Sequence, residues 1–205
     1  MEFHFGEYVN QSETDKSELP ALFTLSPYRL EQIRKASSVP VCIVGPYIAY
    51  SKDYLDNKSI EHSGSAWKTI LAIPSHSVRG GTVSYDYKDF INEIRRVKNA
   101  INAQTILVML YYQDILNGDA AIFEDAGFVV VTCGYREDCH FLERQRTLIK
   151  LADFTMSNSI GTHVGTASIW ESPIIPSSNG MNTTSFYIAK KIRQKRKVSF
   201  SSKRW

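Results

Sequence analysis

The sequence contains few cysteines and no long apolar run. The three cysteines are Cys42, Cys133 and Cys139, an odd number without the paired spacings that a zinc site or a disulfide framework needs. A run of about 18 apolar residues, which a membrane-spanning helix needs, does not occur, and the polar first residues lack the apolar core of a signal peptide. Together these absences predict a cytoplasmic protein in a reducing compartment.

Several common catalytic motifs are also missing. The chain has no GxxxxGK(S/T) phosphate loop, no GxGxxG after its first apolar run, no HExxH and no GxSxG. Catalysis of the usual type by a P-loop enzyme, a zinc protease or a serine hydrolase is therefore not expected. We likewise expect no resident metal or cofactor.

The net charge of +3 conceals an uneven distribution of charged residues. The last 18 residues hold eight of the 24 basic residues and none of the 21 acidic ones, so the first 187 residues carry 16 basic and 21 acidic residues, a net charge of −5. This mildly acidic body argues against a nucleic-acid-binding surface spread over the fold. For the tail itself two interpretations stay open: contact with RNA or with anionic lipid at the inner face of the membrane, or a solvated, disordered terminus.

Short apolar runs begin after residue 38. They show no alternation of apolar and polar residues, which is typical of strands covered on both faces and hence of a parallel sheet. The five runs predicted as strands of one central sheet are 41–44, 69–73, 105–110, 128–132 and 154–156.

Amphipathic stretches alternate with these runs. In the clearest one, 86–102, apolar residues recur at three- and four-residue steps. Further helices are predicted over 28–36, 116–126 and 138–152. The alternation predicts an α/β fold, a doubly wound and largely parallel sheet with helices on both faces. We divide the chain into an irregular lead-in segment (1–38), one α/β domain (39–187) and a basic tail (188–205).

Polar residues and glycines are dense in the loops that follow the apolar runs. In an open parallel sheet, ligands bind at the edge formed by the carboxyl ends of the strands. We therefore predict that the post-strand loops face a shared crevice. They are 45–47, 74–77, 111–114, 133–138 and 157–163.

The last of these loops supplies hydroxyl groups and flexible backbone at the start of a predicted short helix. Exposed amides and the positive end of a helix favour a phosphate. We predict that Ser159, Gly161 and Thr162 cradle the diphosphate of a nucleotide. Ser157 and Asn158 are assigned to the same site, although short Ser/Asn strings also cap helices, and that alternative stays open.

Two histidines are candidate catalytic residues. His76 lies between serines in a post-strand loop, where it could donate to a phosphate or act as a base near neutral pH. Its neighbour Ser77 is assigned to the donor site. His163 follows the phosphate loop, where the positive end of a helix favours its neutral form. For both, a surface or structural role is the alternative.

The loop at 133–138 contributes three further candidates. Gly134 gives it a flexible backbone, Arg136 could pair with a diphosphate, and Asp138 could bind a ribose or sugar hydroxyl. Equally, Asp138 could cap the following helix, while Arg136 pairs with Glu137 or Asp138 on the surface.

The pieces of residues 127–176 occur in an order that is known from one superfamily. A helix ends in Leu151-Ala152-Asp153, a strand and a Ser/Asn/Gly loop follow, and Pro173-Ile174-Ile175 forms an apolar strand. This order resembles the carboxyl-terminal, donor-binding half of GT-B-fold glycosyltransferases from bacterial surface-polysaccharide clusters. With the upstream pieces 70–77 and 106–114, the resemblance covers residues 40–176. One departure is the stretch 169–172, where the family usually has a small-residue turn.

The resemblance implies a Rossmann-like domain that binds a nucleotide-sugar through 157–163, with contributions from His76 and the 134–138 loop. It implies transfer of the sugar to a glycan or lipid-linked acceptor during surface-polysaccharide biosynthesis. A complete enzyme of this superfamily has a second Rossmann-like domain, which residues 1–38 cannot supply, so a second domain or partner subunit is implied. The alternatives are a non-catalytic nucleotide- or partner-binding domain, and an RNA- or membrane-associated module that uses the tail.

Overall fold

The structure is a computed structural model that describes Val9 and residues 18–56, 68–77, 81–159, 174–177 and 186–190, the last two segments by their backbone alone. Its helices are α1 (Pro27–Ala36), α2 (Tyr87–Ile101), α3 (Tyr112–Leu116), α4 (Asp119–Asp125) and α5 (Phe141–Leu151), with a 3-10 helix at Tyr47–Tyr50. Its strands are β1 (Leu22–Thr24), β2 (Val41–Ile43), β3 (Thr69–Ile73), β4 (Thr105–Leu110), β5 (Val129–Thr132), β6 (Phe154–Ser157), β7 (Ile174–Ser177) and β8 (Phe186–Lys190).

The main sheet has six strands in the order β5-β4-β3-β6-β8-β7. The strands β3, β4, β5 and β6 run parallel to one another. Strand β8 pairs antiparallel with β6, and β7 pairs antiparallel with β8. Among the parallel strands the chain first proceeds outward from β3 to β5 and then returns to the other side of β3 as β6. This arrangement confirms the prediction of a Rossmann-like α/β fold.

Both faces of the parallel sheet are covered. All five residues of β3 are buried, and they alternate between two hydrophobic cores. Ile70 and Ala72 belong to the core formed with α2 and α4, whereas Leu71 and Ile73 belong to the core formed with α5 and the 3-10 helix. This double coverage explains why the strand is a continuous apolar run without alternation.

Helix α2 follows its sequence pattern closely. The predicted stripe was Phe90, Ile94, Val97 and Ile101; the first three are buried together with Ile91, and Ile101 is half-buried against the same core. The Asp86 side chain caps the amino terminus by accepting from the backbone N–H of Asp89 at 2.9 Å. The helix ends at a left-handed residue, Asn102, with φ of 52°.

The prediction of one helix over 116–126 needs a correction. Two short helices, α3 and α4, occupy 112–125 and are separated at Gly118, whose φ of 92° is incompatible with a continuous helix. The end of the helix predicted at 126, before Gly127, agrees with the structure, where α4 ends at Asp125 and Gly127 has a φ of 83°. Apolar residues of both α3 and α4 pack against the same core, so the sequence pattern did not reveal the interruption between them.

The prediction that 41–44 joins the central sheet is wrong. Its residues 41–43 form β2, which pairs in parallel with β1 in a separate two-stranded sheet, with α1 as the crossover. Cys42 and Ile43 are exposed, so this apolar run is not covered on both faces. The segment 1–38 is accordingly not irregular throughout, because it contains β1 and α1, and α1 confirms the helix predicted over 28–36.

The domain boundaries at residues 38 and 187 stay predictions. Most of the basic tail, 191–205, lies outside the described residues. In the parts of the chain that the structure describes, none of the helices has the length and apolarity needed to cross a membrane.

Candidate functional site

The loops after β3 and β6 meet at the carboxyl edge of the sheet. The side-chain oxygen of Asn158 accepts hydrogen bonds from the backbone N–H of Ser75 at 2.6 Å and from its hydroxyl at 3.0 Å. These two strands are neighbours from which the chain departs in opposite directions, so the contact lies at the topological switch point, where open α/β sheets bind ligands.

The amide of Asn158 has a defined orientation. Because the Ser75 N–H can only donate, the atom facing it must be the carbonyl oxygen. The two N–H donors of the amide make no hydrogen bond to any other residue in the described part of the chain. Asn158 is half-buried, and its amide nitrogen can therefore serve a ligand oxygen at this edge.

A buried carboxyl group connects the loops after β3 and β4. Oδ1 of Asp114 accepts from the backbone N–H of Ser77 at 3.0 Å, and both residues are buried. Oδ2 of Asp114 has no hydrogen-bond partner among the described residues. The Ser77 hydroxyl accepts from the backbone N–H of Val83 at 3.1 Å. Ser77, predicted to contact the donor, thus holds two protein segments in place.

Four aromatic rings extend across the ends of β3, β4 and β5. The ring of His76 lies 5.1 Å from Tyr111, Tyr111 lies 4.5 Å from Tyr112, and Tyr112 lies 4.2 Å from Tyr135, all between centroids. We call this set the aromatic ladder. His76 and Tyr135 are exposed, and the two rings between them are half-buried. The loops after β3, β4 and β5 therefore lie at one edge, as predicted, whereas the loop 45–47 follows β2, which is not a strand of this sheet.

The His76 ring has a preferred tautomer in this arrangement. Its Nδ1 lies 3.1 Å from the carbonyl oxygen of Ser77. A carbonyl only accepts, so Nδ1 carries the hydrogen in this contact, and a neutral ring then has its lone pair on Nε2. The histidine can accept a proton from a hydroxyl group at the sheet edge.

Two ion pairs involve residues of the loop after β5. Arg136 pairs with Glu137 at 3.0 Å on the exposed surface, as the surface alternative for this arginine anticipated. Asp138 accepts from Arg144 at 2.6 Å and from the backbone N–H of His140 at 2.8 Å. Asp138 therefore stabilises the turn before α5, but it does not cap the helix, because the N-cap residue is His140 and no side chain caps this end.

Gly134 lies where a side chain has little room. Its φ is 79°, and a Cβ there would lie 3.0 Å from Nη1 of Arg144, the atom that donates to the Cys133 carbonyl at 2.8 Å. Gly118, with φ of 92°, has nothing within 4 Å of such a Cβ. Both positions have a positive φ, but only Gly134 has an atom close to the added Cβ.

Gly134→Ala is expected to destabilise the protein more than Gly118→Ala. Both variants incur backbone strain of roughly 1–3 kcal/mol. Only the first also displaces Arg144 from its carbonyl partner, which adds about 0.5–1.5 kcal/mol. Urea denaturation of the two variants measures the difference. Equal losses of stability would show that the Arg144 contact adds nothing.

The diphosphate cradle is described only at its beginning. Ser157 is buried, and its hydroxyl accepts from the backbone N–H of Ser159 at 3.2 Å. Gly161, Thr162 and His163 lie outside the described residues, as does the short helix predicted there. The cradle and the role of His163 stay predictions.

Burial and negative charge raise the pKa of two tyrosines beside Asp114. Burial is the main cause at Tyr85, and the neighbouring Tyr87 and then the acidic side chains of Asp119 and Asp114 add to it. Burial and a hydrogen bond from its hydroxyl to Asp119, at 2.9 Å, raise the pKa of Tyr87 to about 12. Both phenols therefore stay neutral over the physiological range, and this side of the edge is unfavourable for anions.

Sequence reasoning named the loop 111–114 but assigned no role to its residues. Two of the four ladder rings come from this loop, and Asp114 fixes the loop that carries His76. The sequence signal that could have indicated these rings was the pair Tyr111-Tyr112, which directly follows a predicted strand. Tyr135 could not be assigned to the ladder from sequence because its neighbour in space, Tyr112, comes from another strand end.

These features define a Rossmann-like α/β domain whose carboxyl edge carries a polar switch point and an aromatic ladder. No protein-family model matches this sequence, and no curated protein matches it significantly.

Proposed function

We propose that this chain binds a nucleotide-sugar at the carboxyl edge of the sheet and acts as a glycosyltransferase, or as its donor-binding half, in surface-polysaccharide biosynthesis. The observation that supports this proposal is the contact between Ser75 and Asn158 at the switch point. It holds two post-strand loops together at the position where doubly wound sheets bind nucleotides, and it leaves the Asn158 amide N–H groups available.

In this proposal the diphosphate lies at the switch point. The amide of Asn158 donates to a phosphate oxygen, and the loop that begins at Ser159 supplies backbone N–H groups. The negative charge on the diphosphate grows as the bond between the sugar and the phosphate breaks. Donors placed in advance at that position stabilise the transition state.

His76 acts as the base in the same scheme. Its Nε2 takes the proton from an acceptor hydroxyl, whose oxygen forms the new bond to the anomeric carbon of the sugar. The bond from that carbon to the phosphate oxygen breaks, and the nucleoside diphosphate leaves with the electron pair. The histidine is then positively charged and returns its proton to solvent.

Asn158→Asp tests the donor site with little change in shape. The carboxylate can still accept from Ser75, but it has no N–H donors and carries a negative charge close to the diphosphate. We expect at least about a tenfold loss of nucleotide-sugar affinity, equivalent to about 1.4 kcal/mol, measured by calorimetry. Asn92→Asp, an exposed position on α2, introduces the same charge away from the edge and should leave the affinity unchanged.

The donor is identified first by a thermal-shift screen of UDP-, GDP-, CMP- and dTDP-linked sugars. A specific donor should add about 2.7 kcal/mol of apparent stability at a hundredfold excess over its dissociation constant. The proposal fails if none of these compounds stabilises the protein. It also fails if Asn158→Asp, correctly folded, binds the donor as tightly as the wild type.

A further inference from the structure

The aromatic ladder is a continuous surface that the donor site does not use. It begins with His76 beside the switch point and continues through Tyr111 and Tyr112 to Tyr135, whose side chain is 56% exposed. The rings come from three loops that follow three neighbouring parallel strands. Tertiary structure thus assembles a row of tyrosines that ends at the proposed base.

The relative tilt of the rings limits the shape of a ligand. Successive rings are inclined by 52°, 64° and 32° to one another. A single flat nucleobase would cover one ring and leave the other three without a ligand contact. A chain of several non-planar rings, each resting on one aromatic face, would cover the whole ladder.

The chemistry of the ladder favours an uncharged, hydroxylated ligand. Each tyrosine offers an apolar ring face and a hydroxyl that can donate or accept. Partial burial raises the pKa of Tyr111, and the adjacent Tyr112 adds to this effect, so the Tyr111 hydroxyl stays neutral. The nearby Arg136 is paired with Glu137, and the Asp114 carboxyl group is bonded to the Ser77 N–H in the loop that carries His76. A polyanion would meet little compensating charge here.

From these observations we propose that the aromatic ladder binds the acceptor, a neutral saccharide chain whose terminal hydroxyl lies at His76. This inference rests on the proposed function because it places the second substrate of the same transfer reaction. It assigns the acceptor to the domain that binds the donor. Asp114 is a positioning residue in this site, since its bond to the Ser77 N–H holds the loop that presents His76 to Tyr111.

The test uses the full chain and three probes: maltohexaose, cellohexaose and chitohexaose. Calorimetry measures the affinity of wild type, Tyr112→Leu and Tyr135→Leu for each saccharide, and separately for the donor found in the nucleotide-sugar screen. Leucine keeps an apolar side chain but removes the ring and the hydroxyl. Tyr28→Leu is the matched control, because Tyr28 is exposed on α1, away from the ladder.

We expect at least one saccharide to bind the wild type and both ladder variants to bind it about tenfold more weakly. Tyr28→Leu should stay within about twofold, and donor affinity should be unchanged in all variants. If no saccharide binds, or if the ladder variants bind it as the wild type does, the inference is overturned. Loss of donor affinity alone in Tyr112→Leu would also overturn the inference, since the Tyr112 ring would then stack on the nucleobase of the donor.

The two proposals can fail separately in this experiment. If no nucleotide-sugar binds but saccharide binding still depends on the ladder, the transferase proposal fails and the ladder remains a saccharide site. A parallel titration with oligouridine tests whether the ladder binds single-stranded nucleic acid instead of a saccharide. Ladder-dependent binding of oligouridine with no saccharide binding would identify a nucleic-acid surface and overturn the inference.

Discussion

Phe90→Ala is expected to lower the free energy of unfolding by about 3–5 kcal/mol. Phe90 is 1% exposed and lies in the core between α2, α4 and the sheet. Its ring packs edge-on against Phe123, 6.5 Å away, and against Tyr85, 5.9 Å away. Alanine removes these contacts and leaves a cavity that a rigid parallel sheet cannot close.

Urea denaturation measures this effect, with Lys88→Ala as the control. Lys88 is exposed on the same helix, so its replacement changes helix propensity without opening a cavity and should stay within about 0.5 kcal/mol. A loss below about 1 kcal/mol for Phe90→Ala would contradict the position of α2 against the sheet.

Asp53→Asn is expected to have the second largest effect, a loss of about 2–3 kcal/mol at neutral pH. The Asp53 carboxylate, 15% exposed, accepts from Arg146 at 2.8 Å and from Lys150 at 2.5 Å. The same arginine donates to the carbonyl of Ser51 at 2.8 Å, and Tyr54 N–H donates to Thr147 at 2.7 Å. Asp53 therefore fastens the segment after the 3-10 helix to α5.

The contribution of Asp53 should depend on pH in a defined direction. Burial raises the pKa of this carboxyl, but the hydrogen bonds from Lys150 and Arg146 and their positive charges outweigh burial, so the net pKa in the folded protein is lowered. A lowered folded-state pKa means that the stabilisation is fully present above the unfolded value of about 3.9. It is lost as the pH falls through the folded-state pKa.

The stability difference between wild type and Asp53→Asn should therefore shrink below about pH 4. Urea denaturation at neutral and acidic pH measures it. Asp125→Asn, at an exposed position at the end of α4, should change stability by no more than about 0.5 kcal/mol at either pH. A difference that stayed constant down to acidic pH would show that the ion pairs do not explain the effect.

Binding of the two proposed substrates is expected to be coupled through the geometry of the edge. Asn158 and His76 lie on loops that meet through Ser75, so donor and acceptor sites adjoin. Asp114 connects the His76 loop to α3, which carries Tyr112. We therefore expect bound donor to tighten saccharide binding, which calorimetry with and without the donor measures.

Much of the fold could be predicted because its signals are local. Strands β3 and β4 occur at the predicted residues, and α2 lies within the amphipathic stretch predicted over 86–102. A buried parallel strand must be apolar along its whole length, and an amphipathic helix must repeat its apolar residues at helical spacing. These constraints act on neighbouring residues and are visible in any single sequence.

Strand pairing and ring contacts were decided by tertiary structure. The run at 41–44 looks like the other strands, yet its hydrogen bonds go to β1, because pairing depends on which backbone edge lies beside it. Likewise, Tyr112 and Tyr135 are 23 residues apart in sequence, and only the parallel alignment of β4 with β5 places their rings 4.2 Å apart. The sequence by itself determined the parallel α/β class and the polar loops at its edge, since both follow from local burial and turn chemistry. The tertiary structure decided which of those loops meet, because that depends on strand order, which local patterns do not encode.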